Sequence, residues 1–416
     1  MLEPDIACSR IQIRQPVKRD IPAWIAPVAA ILVLQTAASF LSRLIPIVSP
    51  SLIQDFGWNN GWVGYLAAIN TAGSLFFLMV GTGFIHRIGN IRSVQWGVLM
   101  GTISMALFFS PIVALAAVAS FIIGAGYGVS SPAGSEILQR YSPPSIRNLV
   151  FSIKQAGVPL GGVIAGLTIP LLAESAGWRV ALLAAALLAF GMVALTWRLG
   201  RDVDTPARSA QSWLGALSLH NILTPIRALR EGHDTRRLAA VGGLLSATQS
   251  CWFTFTVAYL VDRLDFTLSM AGLVFAIMQA AGVAGRIVFG WLADRIGSAR
   301  VALSLTSVGS AATTALLALS TQAWPLWVLS LLAAGAGATA AGWNGVQIAE
   351  MARRAPPDKV SEAAAGSTLH VYLANTVAPA VFAAYVSATG QYEEAFMAAA
   401  VCSLGALALL ARIRPH

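Results

Sequence analysis

Residues 270–292 read MAGLVFAIMQAAGVAGRIVFGWL, and the last three of them open the motif GWLADRIG at residues 290–297. The run is long enough to cross a bilayer as a helix, because about 20 apolar residues span the hydrocarbon core. A single charged residue, Arg286, interrupts it. A charge at that depth costs roughly 2.5–3.5 kcal/mol on insertion scales, and such a residue usually faces a partner or a water-filled path. The stretch therefore predicts a transmembrane helix whose arginine has a role.

Similar apolar runs recur along the whole chain. The composition is 56% apolar and only 11% charged, whereas soluble domains carry about 25% charged residues. A β-barrel would show short segments that alternate apolar and polar residues, but these runs are apolar all round. We therefore predict an all-α integral membrane protein. The twelve predicted spans are 24–48, 61–85, 93–109, 112–131, 149–172, 178–199, 238–261, 270–292, 301–320, 324–346, 363–387 and 395–411.

The longest polar stretch lies at the middle and divides six spans from six. We predict an N-terminal cytoplasmic tail (1–22), a first six-helix bundle (23–199), a cytoplasmic linker (200–237) and a second six-helix bundle (238–416). The two halves echo each other, because HRIG at 86–89 mirrors DRIG at 294–297. Repeated six-helix halves are typical of transporters, with the substrate near the midplane between them.

The net charge of +9 reflects membrane topology. Positive residues favour the cytoplasmic side, and most of the 27 lysines and arginines lie in the tail, the linker and the loops on one side. Only Arg179 and Arg263 fall in loops on the other side, and Arg43, Lys154 and Arg286 lie within spans. We expect a multi-pass protein of the plasma (inner) membrane with both termini in the cytoplasm, in contact with the lipid bilayer and with no nucleic-acid partner.

The cysteines suggest no further chemistry. Cys8, Cys251 and Cys402 are far apart and show neither metal-ligand spacing nor a disulfide framework. The first 20 residues carry charge but no apolar core, so we expect no cleavable signal peptide. We expect no catalytic residue, metal or cofactor, and a monomer.

The motif at 290–297 resembles the loop signature of the major facilitator superfamily, Gly-x-Leu-Ala-Asp-Arg-x-Gly, which occurs between helices 2 and 3 and between helices 8 and 9. The second-half copy matches at every fixed position. The first-half copy has His86 where the family has Asp and Thr82 where it has Gly. The resemblance covers essentially the whole chain through helix count, loop signature and linker, and it implies twelve helices in two pseudo-symmetric bundles.

The resemblance also implies gating residues, because the Asp and Arg of this loop latch the cytoplasmic helix ends in the family. Glutamate and arginine four residues apart, at 136 and 140 and again at 350 and 354, are spaced for pairing on a helix end. Ordinary surface ion pairing, which contributes little stability, is the alternative. The predicted gating residues are Arg87, Gly89, Glu136, Arg140, Gly290, Asp294, Arg295, Gly297, Glu350 and Arg354.

Helix 5 is rich in small residues, with Gly157, Gly161, Gly162 and Gly166 around Pro159. Small residues four apart let membrane helices approach closely, so packing alone is one reading and a flexible, pore-lining helix is the other. The segment 156–161 is similar to helix 5 of the monocarboxylate and oxalate/formate branch of the superfamily.

Arg286 fits the same branch. It lies eight residues before Asp294, about 12 Å along the helix, and the branch has an arginine at this distance that binds the substrate carboxylate. A guanidinium matches a carboxylate with two parallel hydrogen bonds. The branch often has an acid one turn earlier, where this chain has Gly282. A structural arginine that caps backbone carbonyls is the alternative.

Three further residues within spans can carry a positive charge: Arg43 in the outer part of helix 1, Lys154 about 9 Å inside helix 5 from its cytoplasmic end, and His370 at a depth similar to that of Lys154 in helix 11. Snorkelling to the headgroups is the alternative for Arg43 and Lys154, and a neutral structural histidine is the alternative for His370, which could bind an anion only when protonated. No Asp or Glu lies deep within a predicted span, so the charges favour an anionic substrate. The predicted substrate-binding residues are Arg43, Lys154, Gln155, Gln279, Arg286, Asn344, His370, Tyr372 and Asn375. Further candidates to complete the cavity are Gln35, Asn70, Tyr127, Gln249, Trp252 and Trp343.

The leading hypothesis is a secondary active transporter and not an enzyme. It moves a small organic anion, similar to a monocarboxylate, by alternating access, and a proton or a counter-anion is its coupling partner. Export of a drug or metabolite by the same fold is the main alternative. A membrane sensor without transport, an integral-membrane enzyme and a nitrate carrier are the remaining alternatives.

Overall fold

The computed structural model describes residues 24–80, 85, 87–142, 147–198, 203–204, 233–355 and 360–414. The predicted tail at 1–22, His86, Thr82 and most of the predicted linker lie outside these ranges. The fold is all-α. The helices are α1 (Ile25–Phe56), α2 (Trp62–Val80), α3 (Asn90–Ser104), α4 (Val113–Tyr141), α5 (Arg147–Ala176), α6 (Trp178–Thr196), α7 (His233–Asp262), α8 (Leu268–Ile296), α9 (Ala299–Ala318), α10a (Leu326–Ala340), α10b (Asn344–Arg354), α11 (Val360–Thr389) and α12 (Tyr392–Ala411).

The predicted spans correspond to these helices. Within the described ranges, eleven helical segments are long and apolar enough to cross a membrane. The third span is made of α3 and a short 3₁₀-helix that continues it through Met105–Phe109. The prediction of an all-helical membrane protein with twelve spans is therefore confirmed.

Several helices extend beyond the apolar runs that predicted them. Helix α1 continues to Phe56 with Pro46 and Pro50 inside it, and α4 continues past the predicted end at 131 to Tyr141. Helix α7 begins at His233, inside the segment predicted as linker. An apolar run ends at the first polar residues, whereas the backbone hydrogen bonds of a helix continue wherever its side chains permit them.

Span 10 crosses as one membrane segment, Leu326–Arg354, but its helix is interrupted, because α10a ends at Ala340 and α10b begins at Asn344. The carbonyls released by the break are bound by side chains. Trp343 Nε1 donates to Ala340 O at 2.9 Å, and Arg286 Nε donates to Ala341 O at 3.2 Å. A broken helix is tolerated at membrane depth where such partners replace the lost backbone bonds.

The first half (α1–α6) and the second half (α7–α12) meet at the end of the molecule where α1 ends and α2 begins, which we call the closed end. Ser387 Oγ donates to Asn59 Oδ1 at 2.7 Å, and Asn60 Nδ2 donates to Asp262 Oδ2 at 3.1 Å. Across α5 and α8, the backbone N–H of Ser269 donates to Glu174 Oε1 at 2.7 Å. These polar contacts join the loop between α1 and α2 to α11 and α7, and they join α5 to α8.

Glycines let the facing helices come close. A Cβ at Gly64 in α2 would lie 2.5 Å from both Phe255 Cζ and Pro379 O of the second half. A Cβ at Gly166 in α5 would lie 2.7 Å from the carbonyl oxygen of Gly272 in α8. The glycine-rich pattern of helix 5 is thus used for close packing, as small residues are in membrane interfaces.

The apolar core follows the same division. The largest buried cluster runs through the first half and continues into the second half through residues such as Phe255, Phe382 and Tyr392. Near the opposite end, where α1 begins and α12 ends, the described residues form two separate clusters, one around Leu138 in the first half and one around Leu245 in the second. The halves therefore share a core at the closed end and have their own cores at the other end.

Gly64→Leu is expected to separate the halves at the closed end, because the new side chain cannot fit against Phe255 and Pro379. The measurement is the distance between spin labels on cysteines introduced at Ala176 and Gln391, in a background without the native cysteines. We expect longer distances than in the parent protein. Gly191→Leu is the matched control, because nothing lies within 4 Å of a Cβ there. Identical distance distributions for the two variants would contradict this account of the closed end.

Candidate functional site

A cavity of about 290 Å³ lies between the halves near the middle of the helices. Eight helices line it, four from each half: α1, α2, α4 and α5 from the first, and α7, α8, α10b and α11 from the second. Two arginines reach it, and no Asp or Glu is among its lining residues in the described part of the chain. The wall is otherwise mainly polar and aromatic.

Six of the nine predicted substrate-binding residues line this cavity: Arg43, Gln155, Arg286, Asn344, Tyr372 and Asn375. Four of the further candidates also line it: Gln35, Asn70, Tyr127 and Gln249. The helices bring these residues together from distant parts of the sequence, since Gln35 and Asn375 are 340 residues apart.

Arg286 binds two backbone carbonyls at the wall of the cavity. Its Nε donates to Ala341 O in the break of α10, and its Nη1 donates to Gln155 O of α5 at 3.4 Å. The carbonyl-capping role is therefore present in this conformation. A guanidinium has five N–H groups, and those on Nη2 have no partner among the described residues. Arg286 thus braces the broken helix, touches the first half and still offers donors to a ligand.

Arg43 is held differently. Its guanidinium lies over the ring of Phe253, with Cζ 4.4 Å from the ring centroid. An aromatic face attracts a cation at this distance, so Phe253 of α7 replaces part of the lost hydration. The Nε atom is buried and has no hydrogen-bond partner among the described residues. An unpaired buried donor is costly, which makes it a candidate contact for a ligand acceptor.

The amide side chains in the wall are partly committed to protein partners. Asn70 Oδ1 accepts from Ser42 Oγ at 2.7 Å, and Asn375 Oδ1 accepts from Ser246 Oγ at 2.6 Å. Asn344 Nδ2 lies 3.4 Å from Ala341 O. These bonds fix the shape of the wall, so a ligand meets oriented groups.

Three predicted substrate-binding residues lie away from the cavity. Lys154 is buried between α5 and α4, with Nζ 3.5 Å from Ser131 O. His370 lines a separate, almost wholly apolar groove of about 860 Å³ between α7, α11 and α12. Gln279 is buried in the crossing of α8 with α5, beside Gly162. The prediction was based on depth along a helix, and depth does not fix the direction in which a side chain points.

Trp252 and Trp343, two further candidates, belong to the core. Trp252 Nε1 donates to Thr314 Oγ1 at 2.8 Å, and both indoles are fully buried. Conversely, the sequence reasoning missed the hydroxyl residues of the wall and Phe253. The missed hydroxyl residues are Ser39, Ser42, Thr71, Ser74, Ser131, Ser250, Thr254, Ser367 and Thr368. Serine and threonine are common inside membrane helices, where they usually bond to their own backbone, so they gave no signal.

The second-half loop of the predicted gate has the expected turn. Gly297 has φ 69° and ends α8, and Ser298 then caps α9 by accepting from Val301 N. Only glycine adopts such a φ without strain. Asp294 is exposed, and the guanidinium of Arg295 lies 5.9 Å from the ring of Trp291. Gly290 has open space around it.

The first-half loop is held by a carboxylate from the segment after α6. Asp204 accepts hydrogen bonds from the backbone N–H groups of Ile91 and Arg92 at 3.0 and 2.9 Å, at the start of α3. Gly89 has φ 102°, and a Cβ there would lie 2.5 Å from Asp204 Cγ. Burial raises the pKa of Asp204, although the two N–H groups oppose this shift. Arg87 is exposed in the same loop.

The two predicted glutamate–arginine pairs differ. Glu350 and Arg354 are nearly buried, with Arg354 Nε 2.5 Å from Glu350 Oε1. Arg354 also binds Asp234 of α7 at 3.0 Å and the carbonyl of Arg414. This network ties α10b, α7 and the segment that follows α12 together within the second half. The pseudo-symmetric Glu136 and Arg140 are exposed.

A comparison with protein families decides the identity. The family described as Major Facilitator Superfamily matches residues 29–379. The chain belongs to the Major Facilitator Superfamily. It is a multi-pass membrane transporter and not an enzyme, as expected from its motif at 290–297.

Relatives within the superfamily include transporters of named acids. The chain is 24% identical to the gallate transporter of Pseudomonas putida over 365 residues, which cover 79% of this chain and 80% of that one. It is 24% identical to the 4-hydroxybenzoate transporter PcaK of Pseudomonas aeruginosa over 284 residues, with coverages of 61% and 62%. An uncharacterized transporter of Mycobacterium tuberculosis is 28% identical, but the aligned part spans only 42% of that protein and 48% of this chain.

A solved structure of the superfamily has the same fold. The nucleoside transporter NupG superposes with a TM-score of 0.74 at 14% sequence identity, covering 94% of this chain and 99% of that one. At this identity the likeness concerns the fold alone.

Glu350→Ala is expected to lower the free energy of unfolding by about 3 kcal/mol, because it leaves the nearly buried Arg354 without its closest partner. Glu136→Ala is the matched control, since Glu136 holds the equivalent position in the first half and is exposed. We expect its effect to stay within about 0.5 kcal/mol. The measurement is thermal or denaturant unfolding of the purified protein in detergent. Equal losses for the two variants would contradict the burial of the Glu350 pair.

Proposed function

We propose that the protein transports a small organic anion with a carboxylate group by alternating access of its two halves. The observation that carries the proposal is the charge of the central cavity, which has Arg43 and Arg286 and no carboxylate among its described lining residues. Arginine remains protonated in proteins. An anion that enters the cavity therefore compensates charges that are otherwise costly to bury.

The geometry favours a carboxylate as the anionic group. The Nη2 group of Arg286 and the Nε atom of Arg43 have no partner among the described residues. A carboxylate accepts two parallel hydrogen bonds from a guanidinium fork, which gives orientation as well as affinity. Arg286 also contacts Gln155 O across the halves, so a ligand that rearranges this arginine affects a contact between them.

The relatives support an organic acid and suggest an aromatic one. The names gallate and 4-hydroxybenzoate denote aromatic monocarboxylates with hydroxyl groups. The cavity contains the rings of Tyr127, Phe253 and Tyr372, and aromatic side chains pack favourably against an aromatic ligand. This agrees with the monocarboxylate character expected from Arg286 and its resemblance to the monocarboxylate and oxalate/formate branch.

We further propose the topology and the moving parts. Both termini lie in the cytoplasm of a cell whose inner membrane holds the protein, and residues 23–199 and 238–416 move as two bundles joined by 200–237. The closed end then faces outward. The loop residues Arg87, Asp294 and Arg295 hold the cytoplasmic helix ends together when these ends close. Labelling of single cysteines in the loops of intact cells with a membrane-impermeant reagent tests this orientation.

We propose that the protein works as a monomer. Proton symport and anion exchange are the two coupling modes that we propose for it. Proteoliposomes distinguish them. An acidic exterior that drives uptake into empty vesicles identifies symport, whereas a requirement for an anion inside the vesicles identifies exchange.

Arg43→Gln and Arg286→Gln are each expected to lower the uptake of labelled organic acids into proteoliposomes about 10- to 100-fold, which corresponds to losing a charge-assisted hydrogen bond of about 1.5–3 kcal/mol. Arg286→Lys keeps the charge but not the fork, so we expect intermediate uptake. Arg179→Gln is the control, because Arg179 forms an exposed ion pair with Asp55. Full uptake by the Arg43→Gln, Arg286→Gln double variant would exclude the proposed anion site.

A further inference from the structure

One amide in the wall of the cavity lacks a partner. Gln35 of α1 is 2% exposed and lines the cavity, and its Oε1 atom is buried without a hydrogen-bond partner among the described residues. An amide oxygen left unpaired in a buried position is destabilising. Buried side-chain polar atoms in proteins are mostly paired, with protein groups or with ordered water, so a water or a ligand in the cavity is the expected partner of this amide.

The neighbouring polar groups on α1 do not supply that donor. Ser39 Oγ donates to Val158 O at 2.6 Å, and Ser42 Oγ donates to Asn70 Oδ1 at 2.7 Å. Thr36 Oγ1 donates to Leu32 O in its own helix at 2.8 Å. The side chain of Gln35 is also confined, because Gly157 of α5 packs beside its Cγ, which would be 3.2 Å from a Cβ at that glycine.

The cavity therefore carries two unpaired groups of opposite kind on one helix. Arg43 Nε is a donor and Gln35 Oε1 is an acceptor. Their residues are eight positions apart, about 12 Å along α1. A ligand that accepts at one end and donates at the other pairs both atoms.

We propose that Gln35 recognises a hydroxyl group of the transported carboxylate, so that the protein selects hydroxylated acids over their unsubstituted analogues. The inference rests on the proposed function, because it assumes that the carboxylate binds at the arginines. A hydroxyl group both donates and accepts, so it can pair with either polar atom of the amide. A site built around such a bond rejects an analogue that lacks the hydroxyl, because the polar group of the protein then stays unpaired.

The test compares the uptake of matched acids that differ by one hydroxyl: 4-hydroxybenzoate with benzoate, and lactate with propionate. The acids of each pair have the same charge. We expect the wild-type protein to transport the hydroxylated acid of at least one pair about tenfold or more efficiently than its analogue, in line with the cost of an unpaired buried group. In Gln35→Met, which keeps the length but removes the amide, we expect this preference to fall to about twofold or less.

Gln279→Met is the matched control, because Gln279 is an equally buried glutamine with an unpaired amide nitrogen that lies off the cavity. We expect it to keep the wild-type preference. If the wild-type protein shows no preference within either pair of acids, the inference is overturned. This measurement does not depend on the folding of any variant. A preference that survives in Gln35→Met also overturns it, while uptake of carboxylates leaves the proposed function standing. Uptake of none of the four acids overturns both proposals.

Discussion

The hydrogen bond from Arg286 to the carbonyl of Ala341 is the interaction on which the centre of the molecule depends. A helix that crosses lipid cannot leave backbone groups unpaired, and α10 is nevertheless interrupted at residues 341–343. The guanidinium of Arg286 and the indole of Trp343 bind the released carbonyls. The break places the start of α10b, with Asn344, in the cavity wall. The positive charge that stabilises the broken helix is thus also the charge that an anion meets.

The contacts between the halves are of a kind that a conformational cycle can form and break. Hydrogen bonds between short polar side chains and glycine crossings hold the closed end together. By contrast, the buried network of Glu350 and Arg354 ties helices together within the second half. Small residues give shape complementarity without long interlocking side chains, so the halves can separate without disrupting their own cores. This division suits rocking of two rigid bundles around a central site.

Much of this could be predicted from the sequence, because length and hydropathy dictate membrane spans. The twelve spans, the close packing of helix 5 and the turn at Gly297 follow from residue types alone. The break in α10 could not be predicted, because the run 324–346 carries no charged residue and no proline near the break, and Arg286, which binds one of the free carbonyls, comes from α8. Asp204, which holds the start of α3, lies more than a hundred residues beyond it in the sequence.

The site residues show a second limit. Successive residues of a helix point about 100° apart, so Gln155 and Tyr372 line the cavity whereas Lys154 and His370, at nearly the same depth, face elsewhere. The depth of a residue along its helix could be predicted from the sequence, but the direction of its side chain depends on how the neighbouring helices pack. Arg43 and Arg286 were identified because charges in a span are rare, whereas the serines and threonines of the wall gave no signal.

The charge of the ligand is decisive for binding at Arg43 and Arg286, and binding to the purified protein tests this most directly. The measurement is the shift in melting temperature caused by a carboxylate and by its uncharged amide, beginning with 4-hydroxybenzoate and 4-hydroxybenzamide. A ligand that binds only the folded protein raises this temperature. We predict stabilisation by the carboxylate and none by the amide, because Arg43 and Arg286 require an anion. Equal stabilisation by both compounds would contradict the account.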